Sequence, residues 1–397
     1  MTDFAATRAM FHIPEGVTYL DGNSLGPLPL GARERVAATV TDEWGEMLIT
    51  GWNRAGWMGM PPRLGDRIGK LIGAAPGTTV IGDTLSIKVF QALAAAVAKR
   101  PDRKVILSDT GNFPTDLYMA EGLIQTLGRG HELRTVAPED VARHIDESVA
   151  AVMLTEVDYR TGRRHDMKAL TEIAHASGAL AIWDLAHSAG AFPVDVTGCN
   201  ADFAVGCTYK FLNAGPGAPA FIYVRPDHAE NIQPALAGWL GHEAPFAFDP
   251  DYRPGRGIER MRVGTPPVLQ MAALDAALDV FDMADLGAIR ERSVALSELF
   301  IAEVERRCPA LALVSPRKAA ERGSQVSFRF HEGFAAMQAL VARGVIGDFR
   351  APDIMRFGIT PLYLSEADIL RAAGIIEEVM AGDLWDRDEY RVRGAVT

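Results

Sequence analysis

Between residues 78 and 224, seven short β-rich runs alternate with helical stretches, and no other feature narrows the fold as far. The runs are TVIG (79–82), KVILS (104–108), ELRTV (132–136), VAAVMLT (149–155), ALAIWD (179–184), ADFAVG (201–206) and PAFIYV (219–224). Several are apolar at successive residues, as in strands covered on both faces. Between them, SIKVFQALAAAVAKR (86–100), PTDLYMAEGLIQTLG (114–128) and MKALTEIAHASG (167–178) carry helical spacing. Such alternation predicts an α/β unit around a mostly parallel seven-stranded sheet. The loop before PAFIYV holds no full helix, too little for a parallel crossover, so one strand is expected to run antiparallel.

After residue 265 the pattern changes. TPPVLQMAALDAALDVFDMA (265–284), ERSVALSELFIAEVERR (291–307) and SEADILRAAGIIEEVMAG (365–382) read as helices, and QVSFRF (325–330) alternates like a half-buried strand. A chain of 397 residues exceeds what one core usually serves. The expected division is an N-terminal arm with a helix (1–50), a large α/β domain (51–265) and a smaller C-terminal α+β domain (266–397).

Composition excludes several classes. A net charge of -11 argues against a general nucleic-acid binder, which needs a basic face. Cys199, Cys207 and Cys308 are too few and scattered for a disulfide framework, and no CxxC pair suggests zinc, so reduced thiols in a cytoplasm and no metal are expected. MTDFAATRAMFHIPEG lacks the basic start and apolar run of a signal peptide, and no stretch approaches a membrane span.

In a parallel α/β sheet, ligands gather at the carboxyl ends of the strands. After the first run, Thr84 and Ser86 stand where a helix begins; free N–H groups there favour an anion, and simple capping by Asp83 or Thr84 is the alternative. After the second, FPTD (113–116) offers Phe113 either as a cover for a flat ring or as a staple beside Pro114 at a helix start. Asp116 is a first-turn carboxylate or a group facing that ring. The fifth run ends on Asp184, which needs a partner: a protonated pyridine nitrogen, a local N–H, or His187 one turn on. One strand later, CTYKFLNAGPG places Lys210 among aromatics, where an ammonium loses charge readily; otherwise it snorkels to water. Taken in order, anion seat, ring cover, strand-end aspartate with histidine, and lysine are the parts that hold pyridoxal phosphate, with Lys210 as the Schiff-base amine.

YLDGNSLGPLP (19–29), FPTD (113–116), WDLAHSAG (183–190), ADFAVGCTYKFLNAGPGAPAFIYV (201–224), GWLGHE (238–243) and DFRAPDIMRFGITPLY (348–363) resemble kynureninases over nearly the whole chain. The resemblance implies a fold-type I, transferase-like large domain that binds pyridoxal 5'-phosphate, and hydrolysis of L-kynurenine to anthranilate and L-alanine. By the same resemblance, Lys210 carries the cofactor and shuttles protons, Asp184 pairs with the ring nitrogen, and His187 lies beside the cofactor. Phe113 stacks on the ring. Leu85 and Ser86 match the phosphate-loop pair, and Pro114, Thr115, Asp116 and Thr155 fall among the cofactor contacts. Tyr209 matches a tyrosine that reaches the phosphate and helps protonate the departing fragment. Trp239 and Thr265 match contacts supplied by the partner subunit, which implies a homodimer with shared sites. Arg356 matches the arginine that forks onto the substrate carboxylate. Trp52 and Thr265 stand where animal members have histidine and asparagine, which implies a preference for L-kynurenine over 3-hydroxykynurenine; packing at a subunit boundary is the alternative for Trp52. Three readings stand against it. A non-catalytic or regulatory protein retaining the fold is expected to lack Lys210, Asp184 or Arg356, and all three are present. A cysteine desulfurase or lyase of the same superfamily needs a thiol on a mobile loop, and Cys308 ends a helix with no cysteine after it. A nicotinamide dehydrogenase needs GxGxxG after a strand, which GNSLGPLPLG does not supply.

Overall fold

The computed structural model describes residues 2–392. The seven expected strands all form: β1 Thr79–Ile81, β2 Val105–Asp109, β3 Glu132–Val136, β4 Val149–Thr155, β5 Leu180–Asp184, β6 Phe203–Gly206 and β7 Phe221–Val224. They make one sheet in the order β1-β7-β6-β5-β4-β2-β3. Strands β2 to β6 pair in parallel. The last, β7, runs antiparallel to both β6 and β1, as the missing crossover helix requires.

Burial follows from the apolar runs. Every residue of β4 and β5 is buried, and alternate side chains serve opposite faces. Ile106, Met153, Ile182, Phe203 and Ile222 pack against helices α3 (Leu85–Ala98) and α4 (Pro114–Leu127). Leu107, Val152, Leu154, Trp183 and Phe221 face a larger core, with α2 (Met60–Leu71) and α5 (Met167–Ala176). Helix α2 lies so close to β1 that a Cβ at Gly65 would stand 2.1 Å from the Thr79 carbonyl oxygen, so only glycine fits there. Pro114 opens α4, and Gly128, at φ +58, closes it in the left-handed conformation glycine adopts cheaply.

The C-terminal part holds a four-stranded antiparallel sheet of β8 Ala312–Leu313, β9 Gln325–Arg329, β10 Asp348–Arg350 and β11 Ile354–Gly358, ordered β8-β9-β11-β10. Helix α7 (Leu286–Arg307) lays Phe300 on Phe328 and Phe357, with centroids 6.0 and 5.1 Å apart, and α8 (Glu366–Ala381) packs along α7. A Ser365–Asp368 capping box starts α8. Strand β9 is not half-buried as its alternation suggested; Gln325 to Phe328 are all buried. Its polar face is turned onto the large domain, where Gln325 Nε2 donates to the Tyr159 carbonyl at 3.0 Å. The N-terminal arm joins this part through Thr18–Tyr19, which pairs in parallel with Val345–Ile346. Helix α6 (Val268–Asp282) leans on α2 and on α1 (Leu30–Ala38).

Candidate active site

Register places the chemistry. Thr155 closes β4 directly opposite Asp184, which closes β5 and pairs with Val205 of β6. Three neighbouring strands thus end at one level, and the turn after β6 carries Lys210. Asp184 is buried; its Oδ1 accepts the Ala186 N–H at 2.8 Å, and Thr155 Oγ1 lies 3.5 Å from Oδ2. The local N–H therefore takes one oxygen and leaves the other for a ligand. Thr155 Oγ1 donates at 2.5 Å to Oδ1 of Asn112, which in turn donates to Ser108 Oγ at 3.0 Å. Asn112 was not singled out from the sequence; it lies just outside FPTD and carries no charge to draw notice.

Asp116, in the first turn of α4, is buried with neither oxygen hydrogen-bonded to a neighbour. Burial, and then repulsion from Asp184, pushes its carboxyl well above the usual range. Burial also raises Asp184, while the Lys210 ammonium pulls it down. Of the two carboxyls, Asp116 is pushed up the further.

Lys210 Nζ stands 3.3 Å from His187 Nε2 and lies over two rings, 5.8 Å from the Phe113 centroid and 5.9 Å from that of Tyr209. Burial and then Lys210 hold His187 well below its ordinary pKa, so it is neutral. Nε2 of His187 lies 3.1 Å from the Asn23 carbonyl, and a proton there leaves the buried Nδ1 without a partner. Phe113 is the N-cap residue of α4 and keeps 37% of its surface exposed. Its edge meets Tyr159 at 5.2 Å. Thr115 is half-buried in the same turn. Tyr209 lies against the buried Cys207 thiol, which together with burial raises its hydroxyl pKa. At the start of α3, Thr84 is the N-cap but makes no side-chain capping bond, so the N–H groups around Leu85 and Ser86 stay open to an anion.

Arg356 departs from expectation. Its guanidinium is 1% exposed and already forked onto Asp348, with Nε donating to Oδ1 at 2.6 Å and Nη2 to Oδ2. Nη1 donates to the Tyr159 carbonyl, and Nη2 also reaches Ser24 Oγ at 3.0 Å. A buried guanidinium needs a counter-charge in place before any substrate arrives. Four of its five N–H groups are used, which leaves one on Nη1. Arg350 adds a second cation 2.9 Å from Asp348.

Trp52, Trp239 and Thr265 have surroundings of their own. Trp52 packs edge-on against Trp57 at 5.5 Å. Trp239 is exposed and meets Phe246 at 5.6 Å. Thr265 is exposed, two residues past the Val263 carbonyl on which Gly238 sits.

The residues present fit pyridoxal phosphate. An amine, two buried carboxyls, an exposed phenyl ring and an uncapped helix start stand at the carboxyl ends of the strands of one sheet, and Asp116 has no hydrogen-bond donor of its own. Among the described residues, no group of three or more His, Cys, Asp and Glu could hold a metal ion, and no helix is long and apolar enough to cross a membrane.

Known proteins agree in sequence and shape. The pattern describing the kynureninase C-terminal domain matches residues 289–376. A kynureninase of Pseudomonas fluorescens is 50% identical over 99% of this chain and 96% of its own length. One from Burkholderia pseudomallei is 49% identical over the same shares. Among solved structures, the apo cysteine desulfurase of Thermococcus onnurineus superposes with a TM-score of 0.80 at 19% identity, covering 95% of this chain and 98% of that one. A C-DES variant with glycine covalently linked to its PLP cofactor gives 0.82 at 18%, covering 94% and 99%.

Proposed function

The chain belongs to the kynureninase family: it is a pyridoxal phosphate-dependent hydrolase that cleaves L-kynurenine to anthranilate and L-alanine, and we propose that the groups around Lys210 carry out the cleavage. Its fold is that of the fold-type I enzymes. The observation that carries the assignment is Lys210 Nζ beside a neutral His187, one strand from the buried Asp184.

When bound, the cofactor supplies an aldehyde for the amine and a ring that withdraws electrons from the substrate α-carbon. Lys210 and Asp184 would hold it by that aldehyde and by the ring nitrogen, Phe113 by its face, and Leu85 and Ser86 by the phosphate. Lys210 Nζ moves the proton at the substrate α-carbon. Asp116, raised further than Asp184, takes up a proton before it and leaves Asp184 to pair with the ring nitrogen. The Tyr209 hydroxyl, kept protonated by its surroundings, donates to the departing fragment. Arg356 and its neighbour Arg350 make the positive end that receives the substrate carboxylate.

Adding L-kynurenine to cofactor-loaded protein should produce fluorescent anthranilate, and K210A should produce none. Borohydride should fix the cofactor to the peptide holding Lys210. Colour without anthranilate would remove the reaction and keep the cofactor.

The working unit is a homodimer in which Trp239 and Thr265 serve the partner's site. Exposed Trp44, Leu48 and Ile49, the last 76% exposed, support this, as does an apolar groove of about 810 Å³ between the N-terminal arm, α1 and α6. Trp52, which offers one donor, sets a preference for L-kynurenine over 3-hydroxykynurenine. A higher kcat/KM for the hydroxylated substrate rejects that preference. A desulfurase reading has less support. Burial first of all pushes the Cys199 and Cys308 thiols up to about 11, and Cys207 is fully buried. Three unpaired cysteines also suit a reducing cytoplasm.

A further inference from the structure

One charged side chain is wholly enclosed and has no part in the chemistry above. Lys88, on the first turn of α3, is 0% exposed. Its Nζ donates to Asp83 Oδ2 at 3.1 Å, to Gln91 Oε1 at 3.0 Å and to the Met261 carbonyl at 3.2 Å. All three ammonium hydrogens therefore have acceptors. Gln91 Nε2 donates to the same Met261 carbonyl at 3.1 Å.

A lysine seldom occupies a fully enclosed place without a paired charge, and here the charge it meets is informative. Asp83 comes immediately before the uncapped Thr84 and stands at φ +56, a left-handed conformation uncommon outside glycine. Its carboxylate is held by the Lys88 ammonium, on the residue just before the helix start whose N–H groups are read above as the seat of a phosphate dianion. Unopposed, that negative charge would repel the anion it borders. The other cation acting on Lys88, Arg262, is tied to Glu259 at 2.7 Å and so is not free to neutralise Asp83.

Resting on the reading of Thr84–Ser86 as the phosphate seat, we propose that Lys88 is a positioning residue for the cofactor phosphate. Its ammonium neutralises Asp83 from beneath and ties the loop to the 257–261 segment through Met261. The phosphate then meets open N–H groups instead of a carboxylate. Lys88 touches neither substrate nor cofactor.

The test compares two ligands of the apo protein that differ only in the phosphate. Dissociation constants for pyridoxal phosphate and for pyridoxal are read from the absorbance change on binding, for wild type, K88M, D83N and D83N/K88M. K88M should weaken pyridoxal phosphate by at least about tenfold, because it strands a carboxylate beside the anion, and should change pyridoxal by less than about twofold. D83N/K88M, with both charges gone, should return to within about threefold of wild type. Equal loss for both ligands, no loss for either, or no recovery in the double variant overturns the proposal. K88Q, which keeps a donor in the same space, carries the comparison if K88M does not fold, with the same outcomes deciding. Wild type that binds pyridoxal phosphate yet makes no anthranilate would overturn the reaction assigned above and leave the role of Lys88 standing.

Discussion

Asp348→Ala isolates the most enclosed ion pair among the described residues. Asp348 and Arg356 are each 1% exposed. Burial alone would raise the Asp348 carboxyl, but the bonds and charge of Arg356, then Arg350, hold it below its usual range. It also accepts the Ser24 hydroxyl at 2.5 Å. Truncation leaves the Arg356 guanidinium with only the Tyr159 carbonyl and Ser24 Oγ, both neutral. Breaking a buried pair by removing one partner costs about 3–5 kcal/mol. Unfolding entropy of about 2.1 cal/mol/K per residue, over 397 residues, is roughly 0.8 kcal/mol/K, so the melting temperature should fall by about 4–6 °C. Calorimetry of the apo protein reads this directly. D348L/R356M removes both charges and should melt within about 2 °C of wild type while losing anthranilate production, because the substrate carboxylate has lost its cation. A D348A melting point within about 1 °C of wild type would refute the reasoning, since Arg356 would then have its counter-charge elsewhere.

Burial, then the nearby Asp348, pushes Asp21 up to about 7. A carboxyl raised on folding gives stability that is complete below its unfolded pKa and is lost as pH rises through the folded value. D21N, which cannot ionise, should therefore gain on wild type between pH 4 and 7 by up to roughly 4 kcal/mol; a melting-temperature gap that stays flat from pH 5.5 to 8.5 contradicts this. T155V removes one of the two donors to Asn112 Oδ1, which keeps the Phe113 N–H at 2.7 Å, and should cost about 0.5–1.5 kcal/mol in denaturant unfolding. Loss below about 0.5 kcal/mol there would mean water replaces the hydroxyl. D184N exchanges a charge-assisted bond for a neutral one and should lower anthranilate turnover about 10- to 150-fold at saturating cofactor; unchanged turnover would separate Asp184 from the chemistry.

The division between what the sequence discloses and what it conceals follows sequence distance. Thr155, Asp184 and Lys210 could be found because each follows its own apolar run, and parallel pairing brings successive run ends to one level. The antiparallel β7 was legible from a loop too short for a crossover. Helix α7 begins at Leu286, five residues before its expected start, because Asp285 caps it by accepting the Ala288 N–H. The partners of Arg356 were not legible. Ser24 lies 332 positions away from it, and Tyr159 197. Asp348 is only eight residues off, but its place opposite Arg356 depends on the antiparallel pairing of β10 with β11, a three-residue strand no periodicity reveals. Lys88 was hidden for a related reason. It sits in a run that reads as an ordinary amphipathic helix, and only Met261, 173 positions on, closes over it. Arg356 and Lys88 are buried charges whose counter-charges stand eight and five residues off but whose enclosure comes from distant segments. A reader of sequence sees the charge and assumes a surface; the fold shows whether its partner is solvent or a second charge held for a purpose.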